Sequence, residues 1–189
     1  MELNHLDYKE KNIKLEECIL SIAVGNIDAM DEIFSIIKDD VYAFAVSKIK
    51  NKTDAEDILQ DTFIQIYKNA KLYTPLGKPM AWIFMIEANL INRYFQLKNR
   101  VVNLDDELLE QIQHYESKEE KLIKNELIDS VLNKLAIEER EIIILHIVSG
   151  MKFKDIASIV AMPLSTVLSK YNRAMKKIKK GGSKWKQKI

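Results

Sequence analysis

Apolar residues along this chain recur at intervals of three and four, the spacing of one helix face, and almost nowhere alternate as a strand requires. Leu15, Ile19, Ile22 and Ala23 predict a short helix over Lys14–Val24, ended near Gly25-Asn26. Asp28 is the expected cap of a second helix reaching about Lys50, with Ile33, Phe34, Ile37, Val41, Ala45 and Ile49 as its buried stripe. A third helix is expected over Thr53–Ala70. Thr53 and Glu56 have the spacing of a capping box, and Ala55, Leu59, Thr62, Phe63, Ile66 and Tyr67 share one face. Pro75 and Gly77 break the pattern, so Lys71–Lys78 reads as a loop. Pro79 suits an early helix position and opens a fourth helix to about Leu97. Its core face is read as Trp82, Ile83, Ile86, Leu90, Tyr94 and Leu97, with a second apolar line at Phe84, Ile91 and Phe95.

Beyond this helix the pattern weakens and then returns. Residues 101–118 are acidic with scattered leucines and read as a linker, partly helical and solvated. Leu122, Leu127, Ile128, Val131, Leu132 and Leu135 form the next stripe, and a helix over Glu138–Ser149 is expected to stop at Gly150. From Phe153 to Lys180 a short helix with Ile156, Ala157 and Val160 inward is followed by a turn at Ala161-Met162-Pro163. A longer helix then starts near Leu164, with Val167 and Tyr171 inward. Small Ala157 permits a close helix crossing and Pro163 stops the first helix, which together predict a helix-turn-helix. The fold class is therefore all-α: two helical domains joined by an acidic linker. The expected boundaries are a disordered leader at 1–12, a helical domain at 13–100, the linker at 101–118, a helix-turn-helix domain at 119–180 and a basic flexible tail at 181–189, in which Trp185 stands.

Five glycines and three prolines among 189 residues fit this helical reading. The net charge of +1 hides an asymmetry. Residues 1–100 hold 13 Lys and Arg against 15 Asp and Glu, residues 101–150 hold 5 against 12, and residues 151–189 hold 11 against 1. A basic end behind an acidic middle predicts a polyanionic partner and self-masking between the two. Cys18 is the only cysteine, so no disulfide framework is expected and the compartment is read as reducing. No basic-then-apolar leader opens the sequence and no apolar run is long enough to cross a bilayer. A cytoplasmic protein with no membrane contact of its own is expected. His5, His114 and His146 stand apart from one another, Cys18 has no metal-site neighbour, and no P-loop or dinucleotide fingerprint occurs. No catalytic residue, metal or cofactor is expected; any chemistry belongs to a partner.

Three surfaces carry candidate binding chemistry. On the third helix Asp57, Gln60, Asp61 and Lys68 surround Ile64. An apolar residue centred on an acidic face suits a protein partner, but acidic residues near a helix start also complement its dipole, and both readings stay open. On the fourth helix the aromatics interleave with Asn89, Asn92, Arg93 and Gln96, backed by Lys98, Asn99 and Arg100. This is either a helix packed on two sides or a surface that stacks unpaired bases and binds phosphates. Such stacking is worth about 1–3 kcal/mol per base, comparable to the cost of extruding one from a duplex. On the last helix Ser165, Thr166, Ser169, Lys170, Asn172 and Arg173 lie opposite Val167 and Tyr171 and can reach base edges or phosphates. Lys176, Lys177, Lys179 and Lys180 follow as backbone-tracking charge.

The run Asp54-Ala55-Glu56-Asp57-Ile58-Leu59-Gln60-Asp61-Thr62-Phe63 resembles the polymerase-binding helix of bacterial sigma factors of the extracytoplasmic-function group, with Asp61 in place of a Glu. Trp82, Ile83, Ile86 and Asn89 match the same group's minus-ten helix, where Glu87 replaces an Ala, Ala88 a frequent Arg, Arg93 a frequent Asp and Gln96 a frequent Arg. Leu135, Arg140, Gly150, Ile156, Ala157, Pro163, Thr166, Val167 and Ser169 match the region that reads the minus-thirty-five element. There Ala161 replaces the turn Gly, Lys170 an Arg, and Leu168 falls where a basic residue often contacts DNA. The resemblance implies a dissociable promoter-specificity subunit that binds core RNA polymerase through Asp57, Gln60, Asp61 and Ile64. It implies minus-ten contacts from Trp82, Asn89, Arg93, Lys98 and Arg100, with a flipped base gripped by the loop 71–78. It implies minus-thirty-five contacts from Ser165, Thr166, Ser169, Lys170, Asn172, Arg173 and Lys176, and an anti-sigma protein as a further partner. The alternatives are a helix-turn-helix regulator acting without polymerase replacement, and an interaction module that binds an anti-sigma protein as a decoy.

Overall fold

The computed structural model describes residues 8–49, 51–102 and 134–183. All regular structure among them is helical. The order is α1 (Tyr8–Ala23), α2 (Ala29–Lys48), α3 (Lys52–Asn69), a 3-10 turn (Ala70–Leu72) and α4 (Pro79–Val102). After the undescribed stretch come α5 (Ile137–Ile143) with a π-helical turn (Ile144–Val148), α6 (Phe153–Ile159) and α7 (Leu164–Ser183). Helix α4 takes in the first two residues of the expected linker; residues 103–118, the stripe Leu122–Leu132, the tail beyond Ser183 with Trp185, and the first seven residues lie outside the described residues.

Local chemistry sets the boundaries, in places one or more residues from where periodicity puts them. Helix α1 begins at Tyr8, inside the expected leader. Asn12 braces its first turns twice: within the helix its amide donates to the Tyr8 carbonyl at 2.7 Å, and across the fold its Oδ1 accepts the Met80 N–H at 3.3 Å. Asp28 occupies the cap position of α2 but makes no side-chain cap; its own N–H is taken by Asn26 Oδ1 at 3.2 Å. At α3 the cap is Asn51, not Thr53, because Asn51 Oδ1 reaches the N–H groups of Thr53 and Asp54 at 2.9 and 3.3 Å. The chain past Lys180 is not the expected flexible hinge: Gly181, Gly182 and Ser183 continue α7, since propagating a long helix adds one hydrogen bond per residue with no new nucleation cost.

Helices α1–α4 enclose a core of Leu15, Ile19, Ile33, Ile37, Val41, Phe44, Ile66, Met80, Ile83, Phe84 and Ile91. In α4 the expected faces are exchanged. Ile83 joins Met80, Phe84, Glu87, Ala88 and Ile91 as the buried stripe, whereas Trp82, Ile86, Leu90 and Tyr94 are half-buried and Leu97 is exposed. The apolar cluster does not stop at α4. Ile142, Ile144, Leu145, Met151, Ile156, Ile159 and Val167 of the C-terminal unit belong to the same contiguous cluster. Ion pairs rim this seam: Lys48 Nζ to Glu141 Oε1 at 3.4 Å and Lys78 Nζ to Asp155 Oδ1 at 2.7 Å. The Arg140 guanidinium also donates to the Ser47 carbonyl at 3.4 Å.

Candidate functional site

The α3 surface is built by its own amphipathicity. Ala55, Ile58, Thr62, Phe63 and Ile66 turn inward, which leaves Asp57, Gln60, Asp61 and Ile64 exposed together on the opposite side. Ile64 is 46% exposed at the middle of that face. Phe34 of α2, also exposed, meets the buried Phe63 of α3 with ring centroids 5.0 Å apart.

Between α3 and α4 runs a groove of two connected parts. One, of about 430 Å³, is lined by Asn69, Leu72, Trp82, Ile86, Asn89 and Arg93 among others. The second, of about 350 Å³, is lined by Asp54, Asp57, Asp61, Arg93, Tyr94 and Leu97 among others. Arg93 lines both, so an arginine stands between an amide-and-aromatic half and an acidic half. Trp82 is fixed edge-on against Tyr73 at 5.1 Å. The structure thus brings Trp82, Asn89 and Arg93 to one groove. Lys98 lies farther along α4 and is already engaged: its Nζ donates to Tyr94 Oη at 2.9 Å, while that hydroxyl donates to Asp54 Oδ2 at 2.5 Å. The bond to Tyr94 is the main cause of the raised Lys98 pKa. Of Arg100 only the backbone, in α4, is described.

The loop 73–78 is anchored by a residue that local pattern does not reveal. Glu16 of α1 accepts both the Tyr73 hydroxyl at 2.7 Å and the Gly77 N–H at 2.9 Å on one oxygen, Oε1. Burial, then the Glu16 carboxylate, push the Tyr73 phenol well above its ordinary pKa, so it stays a donor. Leu72 and Leu76 are left 76% and 74% exposed on either side. Glu16 lies 57 residues from Tyr73, and no sequence signal links them.

One feature of α4 is a cost. Glu87 is fully buried and neither carboxylate oxygen meets a hydrogen-bond donor. Burial drives its pKa well above the ordinary value, and the Lys48 ammonium opposes this only in part. Glu141, paired with the same Lys48, is also raised, chiefly by burial.

In the C-terminal unit α6 and α7 cross as expected, with Val167 and Ala174 of α7 fully buried. His146 stacks on Phe153 at 4.1 Å and meets the edge of Tyr171 at 5.1 Å, a packed histidine. The turn places Ala161 at φ 51°, the left-handed region, where the resemblance expects glycine. Ser165, Ser169, Asn172, Arg173 and Lys176 are exposed on one side of α7, whereas Thr166 is half-buried. Lys170 is turned away from that stripe: its Nζ pairs with the Glu138 carboxylate of α5 and its side chain is 20% exposed. Lys177 Nζ pairs with Glu139 Oε2 at 2.6 Å. Burial works against the Glu139 carboxylate, but Lys177, with the Ala136 N–H, holds its pKa below the ordinary value.

Comparison with known proteins matches both units to one family. Residues 33–101 match the model for sigma-70 region 2, and residues 125–178 match that for sigma-70 region 4. The chain belongs to the extracytoplasmic-function group of sigma factors. Sigma factors of this group are regulatory initiation subunits, and this one is a promoter-specificity subunit of RNA polymerase. It is 29% identical to the sigma factor EcfG of Rhodopseudomonas palustris, over 72% of this chain and 75% of that protein. It is 26% identical to SigM of Bacillus subtilis, over 79% of this chain and 93% of that protein. The fold matches the sigma factor RpoE of Bartonella quintana, solved in complex with the anti-sigma factor NepR. That match has a TM-score of 0.65 at 22% identity and covers 83% of this chain and 98% of that one. It also matches CnrH, solved in complex with the cytosolic domain of CnrY, with a TM-score of 0.61 at 21% identity over 88% of this chain and 95% of that one. Among the described residues no helix is long and apolar enough to cross a membrane, and no group of three or more His, Cys, Asp or Glu is placed to hold a metal.

Proposed function

We propose that this sigma factor docks on core RNA polymerase through Asp57, Gln60, Asp61 and Ile64 of α3. Trp82, Asn89 and Arg93 in the α3–α4 groove receive the opened minus-ten strand, with the loop 73–78 beside it. Ser165, Ser169, Asn172, Arg173 and Lys176 of α7 meet the minus-thirty-five element in the major groove. The observation that carries this reading is that the α3 face, with Ile64 46% exposed, and the α7 stripe are both open surfaces on opposite halves of the molecule. Each is polar or charged in the sense its partner requires: acidic around an apolar centre for protein, basic for DNA. Transcription by this route takes place in the cytoplasm.

The packing of the two units bears on how the factor works. The two promoter elements are centred about 25 base pairs apart, roughly 85 Å at 3.4 Å per base pair. A compact chain of this length has a radius of gyration of only about 16 Å. Helix α6 and the loop leading into α4, tied by Asp155 and Lys78, therefore have to separate before one molecule spans both elements. The packed form is the resting form, and binding to polymerase holds the units apart at the promoter spacing. Two weak DNA contacts fixed in this way gain effective concentration, so the free protein need not bind DNA tightly. By analogy with the NepR complex, an anti-sigma protein is a further partner.

Run-off transcription with purified core polymerase tests the reading. A defined start that appears only when this chain is added supports it. DNA binding that is the same with and without core, and no defined start, overturns it in favour of a polymerase-independent regulator.

A further inference from the structure

Helix α7 exchanges the roles that residue type assigns to two of its positions. Lys170, a natural DNA ligand, is folded back onto Glu138 with its side chain only 20% exposed. Leu168, an apolar residue, is 37% exposed. At about 100° per residue, Leu168 lies roughly 40° from Asn172 and roughly 60° from Ser165 around the helix axis, whereas Lys170 lies about 140° from Ser165. Leu168 thus stands in the second turn of the recognition helix, on the margin of the stripe formed by Ser165, Ser169 and Asn172, all exposed. Residues near the N-terminus of such a helix are the ones that reach base edges in the major groove. One turn earlier and on the same flank, Leu164 is 43% exposed.

We propose that Leu168 is a specificity-determining residue that reads the 5-methyl group of a thymine in the upstream promoter element. In the major groove thymine alone presents a methyl group, and an apolar side chain packed on it favours thymine by taking that methyl out of water. Ser165, Ser169 and Asn172 supply hydrogen bonds to the neighbouring bases. Lys170 contributes to the fold of the C-terminal unit through Glu138 and carries no base recognition. The assignment rests on the docking of α7 proposed above.

The test uses full-length chain with core polymerase and a promoter selected by that holoenzyme from a randomised library. Each thymine of the upstream element is replaced in turn by deoxyuridine, which removes only the methyl group. Wild-type holoenzyme is expected to lose about fourfold in affinity at one position, the worth of one buried carbon, and none at the others. Leu168→Ala is expected to bind thymine and deoxyuridine alike at that position, while Lys170→Gln keeps the wild-type preference. A selected element without thymine overturns the assignment, and so does a complex indifferent to every deoxyuridine or a preference that survives Leu168→Ala. In those cases promoter-specific binding itself persists. If no promoter-specific complex forms at all, the sigma reading of α7 fails and this assignment falls with it.

Discussion

Lys78 Nζ stands 2.7 Å from Asp155 Oδ1, tying the last residue before α4 to the first turn of α6, 77 residues away. The Asp155 side chain is 9% exposed and the Lys78 side chain 55%, so the contact sits at the rim of the seam between the two units. The hydrogen bond and charge of Asp155 raise the Lys78 pKa. Asp155→Lys is therefore expected to place like charges across the seam and to shift the free protein towards an extended form. Small-angle scattering would register this as a larger radius of gyration, and the double reversal Lys78→Glu with Asp155→Lys should restore the compact value. A single variant as compact as the wild type would show that the apolar seam alone holds the units together.

Glu87 gives a prediction with a defined sign. Its folded pKa is raised by burial, so the folded state holds a proton more firmly than the unfolded chain. Its contribution to stability is complete below the ordinary carboxylate pKa and is lost as pH rises from there through the folded value. Glu87→Met removes two unpartnered oxygens at similar volume, relieving about 1–3 kcal/mol. Thermal unfolding at pH 8 is expected to move up by roughly 5 °C, with a smaller or no gain at pH 4.5. Glu141, raised in the same direction, remains in both proteins, so the difference between the two pH profiles isolates Glu87.

Ala161 holds φ at 51° between α6 and α7. A side-chain Cβ in that region costs about 1–2 kcal/mol, partly offset by the extra freedom glycine brings to the unfolded chain. Ala161→Gly should stabilise the protein by about 0.5–1 kcal/mol in urea unfolding, and Ala161→Val should destabilise it by more. Equal stability in all three would mean that the turn relaxes out of the left-handed region at no cost.

Much of this architecture was legible in the sequence, for reasons that also explain the misses. The helix-turn-helix emerged because Ala157, Pro163 and Val167 act locally, each within one turn of what it controls. Lys52–Asn69 emerged from a clean stripe, although the choice between Asn51 and Thr53 as cap depends on which oxygen reaches a free N–H. Helix α4 misled because it is apolar nearly all round. Glu87 interrupts the true core stripe of Ile83, Phe84 and Ile91 with a charged residue type, so the Trp82 face looked more continuous. The bonds that Glu16 accepts from Tyr73 and Gly77 and the pairing of Lys170 with Glu138 join residues 57, 61 and 32 positions apart. Periodicity is blind at that range, so nothing in the sequence pairs Lys170 with Glu138.

Asp61 and Ile64 are exposed and three residues apart on α3, which makes the docking face testable without disturbing the fold. Surface substitutions away from packed features usually change stability by no more than about 0.5 kcal/mol. Asp61→Arg and Ile64→Glu should therefore unfold within a degree or two of the wild type. Asp61→Arg reverses a charge at the proposed interface and Ile64→Glu buries one at its apolar centre, each a change that at a hot spot costs about 2 kcal/mol or more. Competition for core polymerase against the wild-type chain should then show at least a tenfold loss for both, with promoter contacts by α7 unaffected once a complex is forced at high concentration. Full binding by Asp61→Arg would place the polymerase on another face of the molecule, and the exposed Phe34 beside Phe63 would be the next position to substitute.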